Sequence, residues 1–76
     1  MKELLKKDWQ YILFEDEEDL LLKVICGSVA IFELNIKLND LEKTNFQLLG
    51  EEYIDKLAHE ISSNYTKYQS RSIPLS

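Results

Sequence analysis

Apolar and polar positions in the first half of the chain do not repeat at helical spacing. From Trp9 to Phe14, from Leu20 to Cys26 and from Val29 to Leu38 the chain is rich in aromatic and β-branched residues, which suit a pleated, half-buried surface. These runs predict three antiparallel strands in a meander. Between the second and third, Gly27-Ser28 offers a two-residue loop with glycine first, where a type II′ hairpin turn needs positive φ. Between the first and second, Glu15 to Asp19 predicts a longer polar loop.

A turn at Gly27-Ser28 sets Cys26 opposite Val29, Ile25 opposite Ala30, Val24 opposite Ile31, Lys23 opposite Phe32 and Leu21 opposite Leu34. One face then collects Leu21, Ile25, Ala30, Phe32, Leu34, Ile36 and Leu38, with Trp9, Tyr11 and Leu13 added if Phe14 lies opposite Leu20. This is the expected core face. The other face carries Ile12, Phe14, Leu20, Leu22, Val24, Cys26, Val29 and Ile31, which is unusually apolar for a surface facing only water.

The pattern changes to helical at Asn39. Its side chain can cap the free N–H groups of a first turn, and Glu42, three residues on, can reach back as its capping-box partner. Leu41, Phe46, Leu48 and Leu49 predict the apolar side of this first helix, and Gly50 ends it. Glu51 and Glu52 suit the first turn of a second helix, along which Ile54, Leu57, Ala58 and Ile61 form a stripe that Tyr65 and Tyr68 continue. The tail, with Pro74 and isolated Ile73 and Leu75, predicts an extended segment, either loose or docked on an edge strand. The expected fold is therefore α+β: a three-stranded meander followed by two α-helices on one face of the sheet. It forms one domain, with an N-terminal segment (1–8), meander (9–38), helices (39–68) and tail (69–76).

Charge narrows the partners. The formal net charge is −5, with the run Glu15-Asp16-Glu17-Glu18-Asp19 its densest part. Such a balance repels nucleic-acid phosphates and favours a basic partner. The residues before Asp8 do not form a signal peptide, and Leu20 to Phe32 is interrupted by Lys23 and Gly27-Ser28 and falls short of the roughly 20 apolar residues of a membrane span. A cytoplasmic, membrane-free location is expected, and the single cysteine rules out an internal disulfide.

Candidate chemistry is sparse. An EF-hand loop begun at Asp16 would place Leu21 where glycine is required, so the acidic run reads as a solvated loop before it reads as a calcium site. Cys26 has only His59 as a base anywhere in the chain, with Asp55 on the same helix face as His59. A buried small hydrophobe and a solvated imidazole are the plainer account of these two. Two glycines make no phosphate-cradling loop, and one cysteine with one histidine falls short of a zinc site. No cofactor, metal or enzymatic activity is expected.

The surplus apolar face carries the functional expectation. Ile12, Phe14, Leu22, Val24 and Ile31 must be covered by the N-terminal segment with Leu4 and Leu5, by the tail, or by another chain. The reading is a non-enzymatic protein-binding domain of a bacterial cytoplasmic type, whose partner is a second copy in a homodimer or a basic protein. One form of it is an inhibitor or immunity-type protein in which Asp16, Glu17 and Glu18 mask a basic effector. The alternative class is a small enzyme or ligand-binding protein using Cys26 or His59.

Overall fold

The computed structural model describes residues 2–26 and 32–73. It is an α+β arrangement in which the strands β1 (Lys2–Lys7), β2 (Tyr11–Asp16), β3 (Asp19–Cys26) and β4 (Phe32–Lys37) form one antiparallel sheet in the order β1-β2-β3-β4. Three helices follow, α1 (Asp40–Leu49), α2 (Glu51–Ser63) and α3 (Tyr65–Tyr68), and a 3-10 turn spans Gln69–Arg71.

The sheet has one strand more than the pattern suggested. Its first strand is the segment before Asp8, hidden in the sequence because Leu4 and Leu5 are adjacent and break the alternation of a strand. The ladder slips between Glu3 and Leu5, and this bulge lets both leucines pack toward the core. The turn to β2 contains Trp9, which is left-handed (φ 64°) and 81% exposed instead of lying on the core face.

The strand β3 shows its opposite side to the core from the one expected. The acidic run is not a loop: β2 and β3 continue through it, Asp16 pairs with Asp19, and Glu17-Glu18 alone turn the chain. Phe14 therefore faces Leu21, one residue from the expected Leu20. On the other side, Cys26 pairs with Phe32 and Leu21 with Lys37, a displacement of three residues. The turn at Gly27-Ser28, and the partners Val29, Ala30 and Ile31 expected from it, lie outside the described residues. Both displacements are odd numbers, and side chains alternate with period two, so β3 is inverted while β2 and β4 keep their predicted faces. Leu22, Val24 and Cys26 thus join Tyr11, Leu13, Leu34 and Ile36 in the core, and Leu21 and Ile25 take the other side.

Helix α2 closes this core. Ile54, Leu57, Ala58 and Ile61 recur at i, i+3, i+4 and i+7, and all are buried. Each fully buried side chain such as Ile54 or Ile61, both 0% exposed, contributes about 1.5–3 kcal/mol by leaving water. The stripe does not run straight into the tyrosines. Asn64 (φ −126°, ψ 44°) breaks the helix, after which α3 buries Tyr68 and leaves Tyr65 at the rim, edge-on to Phe32.

The capping box forms as the sequence predicts. The Asn39 side chain accepts from the Glu42 N–H at 2.8 Å, and the Asn39 N–H donates to Glu42 Oε1 at 2.9 Å. Gly50 (φ 69°) ends α1, donating its N–H to the Phe46 carbonyl at 2.7 Å. The apolar side of α1 differs from expectation: of its four large apolar residues only Phe46 packs against the core cluster, whereas Leu41, Leu48 and Leu49 are 69%, 76% and 58% exposed. Polar contacts set this rotation. Glu42 turns inward to meet Arg71, and Lys43 turns toward the β2–β3 hairpin.

After the 3-10 turn the chain docks on the outer edge of β4. Ser72 pairs with Ile36, its hydroxyl accepts the Asn35 N–H at 3.1 Å, and the Ile73 N–H donates to the Asn35 carbonyl at 2.9 Å. Among the described residues, no helix is long and apolar enough to cross a membrane.

Candidate functional site

The acidic hairpin builds one wall of a cleft. Because β2 and β3 pair through the run, Glu15 and Asp19 stand near the strand ends and Glu17 and Glu18 at the turn, all within reach of α1. Helix α1 crosses opposite, contributing Lys43, Phe46 and Gln47, while Leu4 of β1 and Leu20 of β3 complete an apolar floor. The space enclosed is about 260 Å³.

One lysine anchors the two walls. Lys43 Nζ donates to the Glu18 carbonyl at 3.0 Å and lies 3.7 Å from Asp19 Oδ1, and Lys37 Nζ lies 3.5 Å from the other oxygen of Asp19. Asp19 is thereby neutralised from two sides. Among the described residues, Glu15, Asp16, Glu17 and Glu18 have no ion-pair partner. Among the described residues, the negative potential of the hairpin is thus compensated only at Asp19.

The residues expected on a single docking face are divided. Leu22 and Val24 are buried beneath the helices and unavailable to a partner; the inverted face of β3 is the reason. Ile12 and Phe14 remain half-buried on the helix-free face, beside Leu21 and Ile25. Ile31 lies outside the described residues. Asp16, Glu17 and Glu18 are exposed at the hairpin end. Leu4, Lys43, Phe46 and Gln47 were not legible as site residues, since only the bulge in β1 and the rotation of α1 bring them to the acidic run.

Cys26 and His59 occupy different environments. Cys26 is buried, with Sγ 3.7 Å from the Val24 carbonyl, and burial pushes its thiol up, away from the thiolate a nucleophile needs. His59 is exposed on α2, and Asp55 is held elsewhere: it accepts from the Tyr11 hydroxyl at 2.6 Å and lies 3.1 Å from Lys7 Nζ. The Tyr11 hydrogen bond, followed by that of Lys7, holds the Asp55 carboxyl below its ordinary range; burial, the Asp55 hydrogen bond and that negative charge raise the phenol of Tyr11. The cluster ties the β1–β2 turn to α2. Among the described residues, no three His, Cys, Asp or Glu side chains converge as metal ligands.

Comparison with known proteins gives no match to a family model, to a curated protein or to a solved structure.

Proposed function

We propose that this chain is a non-enzymatic protein-binding domain that receives a basic side chain of its partner in the cleft between the acidic hairpin and α1. The observation that carries the reading is the pairing of unneutralised carboxylates with an apolar floor. Glu15, Glu17 and Glu18 rim a space floored by Leu4, Leu20 and Phe46. A lysine or arginine matches both parts, its stem lying on the apolar surface and its cationic head at the rim. The size agrees, since about 260 Å³ lies below the ~300–1,000 Å³ of small-molecule sites. An inhibitor or immunity-type role, masking a basic effector, is the form of this function that the acidic hairpin suits best.

The test is titration with a flexible Lys-Gly-Ser peptide at near-physiological salt, followed by amide chemical shifts. Shifts confined to residues 15–20 and to Lys43 and Gln47 are expected, as is much weaker binding by the Asp16→Lys, Glu17→Lys, Glu18→Lys variant. Equal binding by that variant overturns the reading.

A second reading is favoured by the helix-free face. Half-buried Ile12, Phe14 and Ile25 lie on it, with Lys23 among them and Leu21, only 5% exposed, beneath, and its corners are Glu3 and Lys6 on β1 and Glu33 and Lys37 on β4. A twofold axis along the strands, between β2 and β3, lays β1 of one copy over β4 of the other. Glu3 then meets Lys37, Lys6 approaches Glu33, and Phe14 lies over β3 of the second copy. A homodimer on this face predicts a dimer by sedimentation velocity that Ile12→Glu converts to a folded monomer; a wild-type monomer at about 100 µM, well above a micromolar dissociation constant, sinks it.

A further inference from the structure

The two edges of the sheet differ. On the outer side of β4 the chain itself supplies cover, with Ser72 paired to Ile36 and the Ile73 N–H on the Asn35 carbonyl. Among the described residues, β1 has a ladder on one side alone, to β2. Its outer edge therefore presents a row of backbone donors and acceptors, which is a template for a further strand.

The side chains along that edge complement their own reverse. Glu3 and Lys6 share the helix-free side with Phe14 and Ile12, their partners on β2, and both are exposed. Among the described residues neither has an ion-pair partner. Between them the bulge turns both Leu4 and Leu5 toward the core side, where each is only half-buried. Consider the strand antiparallel to a copy of itself, with a twofold axis normal to the sheet and passing between Leu4 and Leu5. Glu3 then lies opposite Lys6 twice and Leu4 opposite Leu5 twice, and every pair falls on a common face, as directly opposed residues must.

We propose that β1 is a self-recognition edge through which two copies of the chain join their sheets into one of eight strands, four from each copy. Two Glu3–Lys6 pairs form across the axis on one side of the joined sheet, and four leucines meet on the other. The pairing also brings Lys2 opposite Lys7, but each has a carboxylate neighbour of its own: Glu15 stands across from Lys2 on β2, and Asp55 lies 3.1 Å from Lys7 Nζ. An unrelated strand meets the lysines and the bulge as obstacles, which is how such features ordinarily guard an edge. A second copy meets Lys6 with Glu3 and the bulge with its own counterpart. The contact is independent of the cleft, and it joins sheets side by side where the helix-free face would stack them.

The experiment is sedimentation velocity of the full chain at about 100 µM, as wild type, with Lys6→Glu, with Lys6→Glu and Glu3→Lys together, and with Ile12→Glu. A wild-type dimer is expected, weakened at least about tenfold by Lys6→Glu, which sets like charges opposite each other twice, and restored when Glu3→Lys is added. Ile12→Glu should leave it in place. Glu3 and Lys6 are exposed, so both charge variants should keep the wild-type circular dichroism and melting temperature. In the dimer, the amides from Glu3 to Lys6 that β2 leaves free should gain protection from hydrogen exchange as concentration rises.

The stacked dimer answers differently, because it sets Glu3 against Lys37 and Lys6 against Glu33. There the double exchange makes both contacts repulsive, and Ile12→Glu separates the copies. A dimer that Lys6→Glu leaves intact, one that the added Glu3→Lys fails to restore, or a wild-type monomer at that concentration each overturns the edge proposal. Loss of the dimer on Ile12→Glu, with no recovery by the double exchange, would assign it to the helix-free face instead.

Discussion

Glu17 holds the hairpin in a conformation that its side chain opposes. Its φ of 57° lies in the left-handed region, where a Cβ crowds the following carbonyl at a cost of about 1–2 kcal/mol, and glycine has no such penalty. Replacing Glu17 with glycine is therefore expected to raise stability in urea melts by about 0.5–1 kcal/mol after the added freedom of the unfolded chain is deducted. A loss of stability would mean that the carboxylate makes a compensating contribution. The sequence hides this turn because five acidic residues in a row look like a loop, and only the pairing of Asp16 with Asp19 shows that two of them do the turning. Trp9 misleads in the same way, since an aromatic at the start of an apolar run reads as the first residue of a strand although it belongs to a turn.

Between elements, the most specific tie is the fork of Arg71 on Glu42. Arg71 Nη2 lies 2.7 Å from Glu42 Oε1 and Nη1 3.2 Å from Oε2, joining the 3-10 turn to the first turn of α1, and Nη2 also donates to the Lys37 carbonyl at 3.1 Å. Burial alone would raise the Glu42 carboxyl, but Arg71 and the Asn39 N–H outweigh it and hold the group below its ordinary range. A folded pKa below the unfolded one gives stability that is present above the unfolded value, near 4.5, and lost as pH falls through the folded value. Glu42→Gln should therefore destabilise the protein at pH 7 by about 1–3 kcal/mol and flatten the acid limb of its stability profile. An acid limb identical to wild type would show that Glu42 does not titrate with folding. The opposite limb involves Tyr68, whose phenol is pushed up to about 12 by burial and by its 2.6 Å hydrogen bond to Glu60. That contribution is complete below the ordinary tyrosine value of 10.0 and fades as pH rises toward 12.

Across the whole molecule, the local signals in the sequence are the legible ones. The stripe of α2, the Asn39 capping box, the stop at Gly50 and the core faces of β2 and β4 depend on residues within a few positions of one another. The face of β3 does not, because it follows from the register on both sides, and an odd slip inverts it. Nor does the outward rotation of α1, which Arg71 and the hairpin impose from far along the chain. The candidate site divides along the same line: its acidic rim is visible in the sequence as a charge run, whereas its floor and far wall are assembled by tertiary contacts.

That division also sets an order of assembly. Every ladder between named strands joins consecutive strands, so the sheet can zip from one short hairpin to the next with little loop entropy to overcome. The tie of Arg71 to Glu42 closes a separation of 29 residues, and that of Ser72 to Asn35 closes one of 37. Such closures gain most once the sheet and helices already hold their ends near each other. The segment from Gln69 to Ile73 is therefore expected to act as a fastener more than a scaffold: it covers the β4 edge, and its release should free the Asn35 amide to exchange before the ladder between β2 and β3 opens.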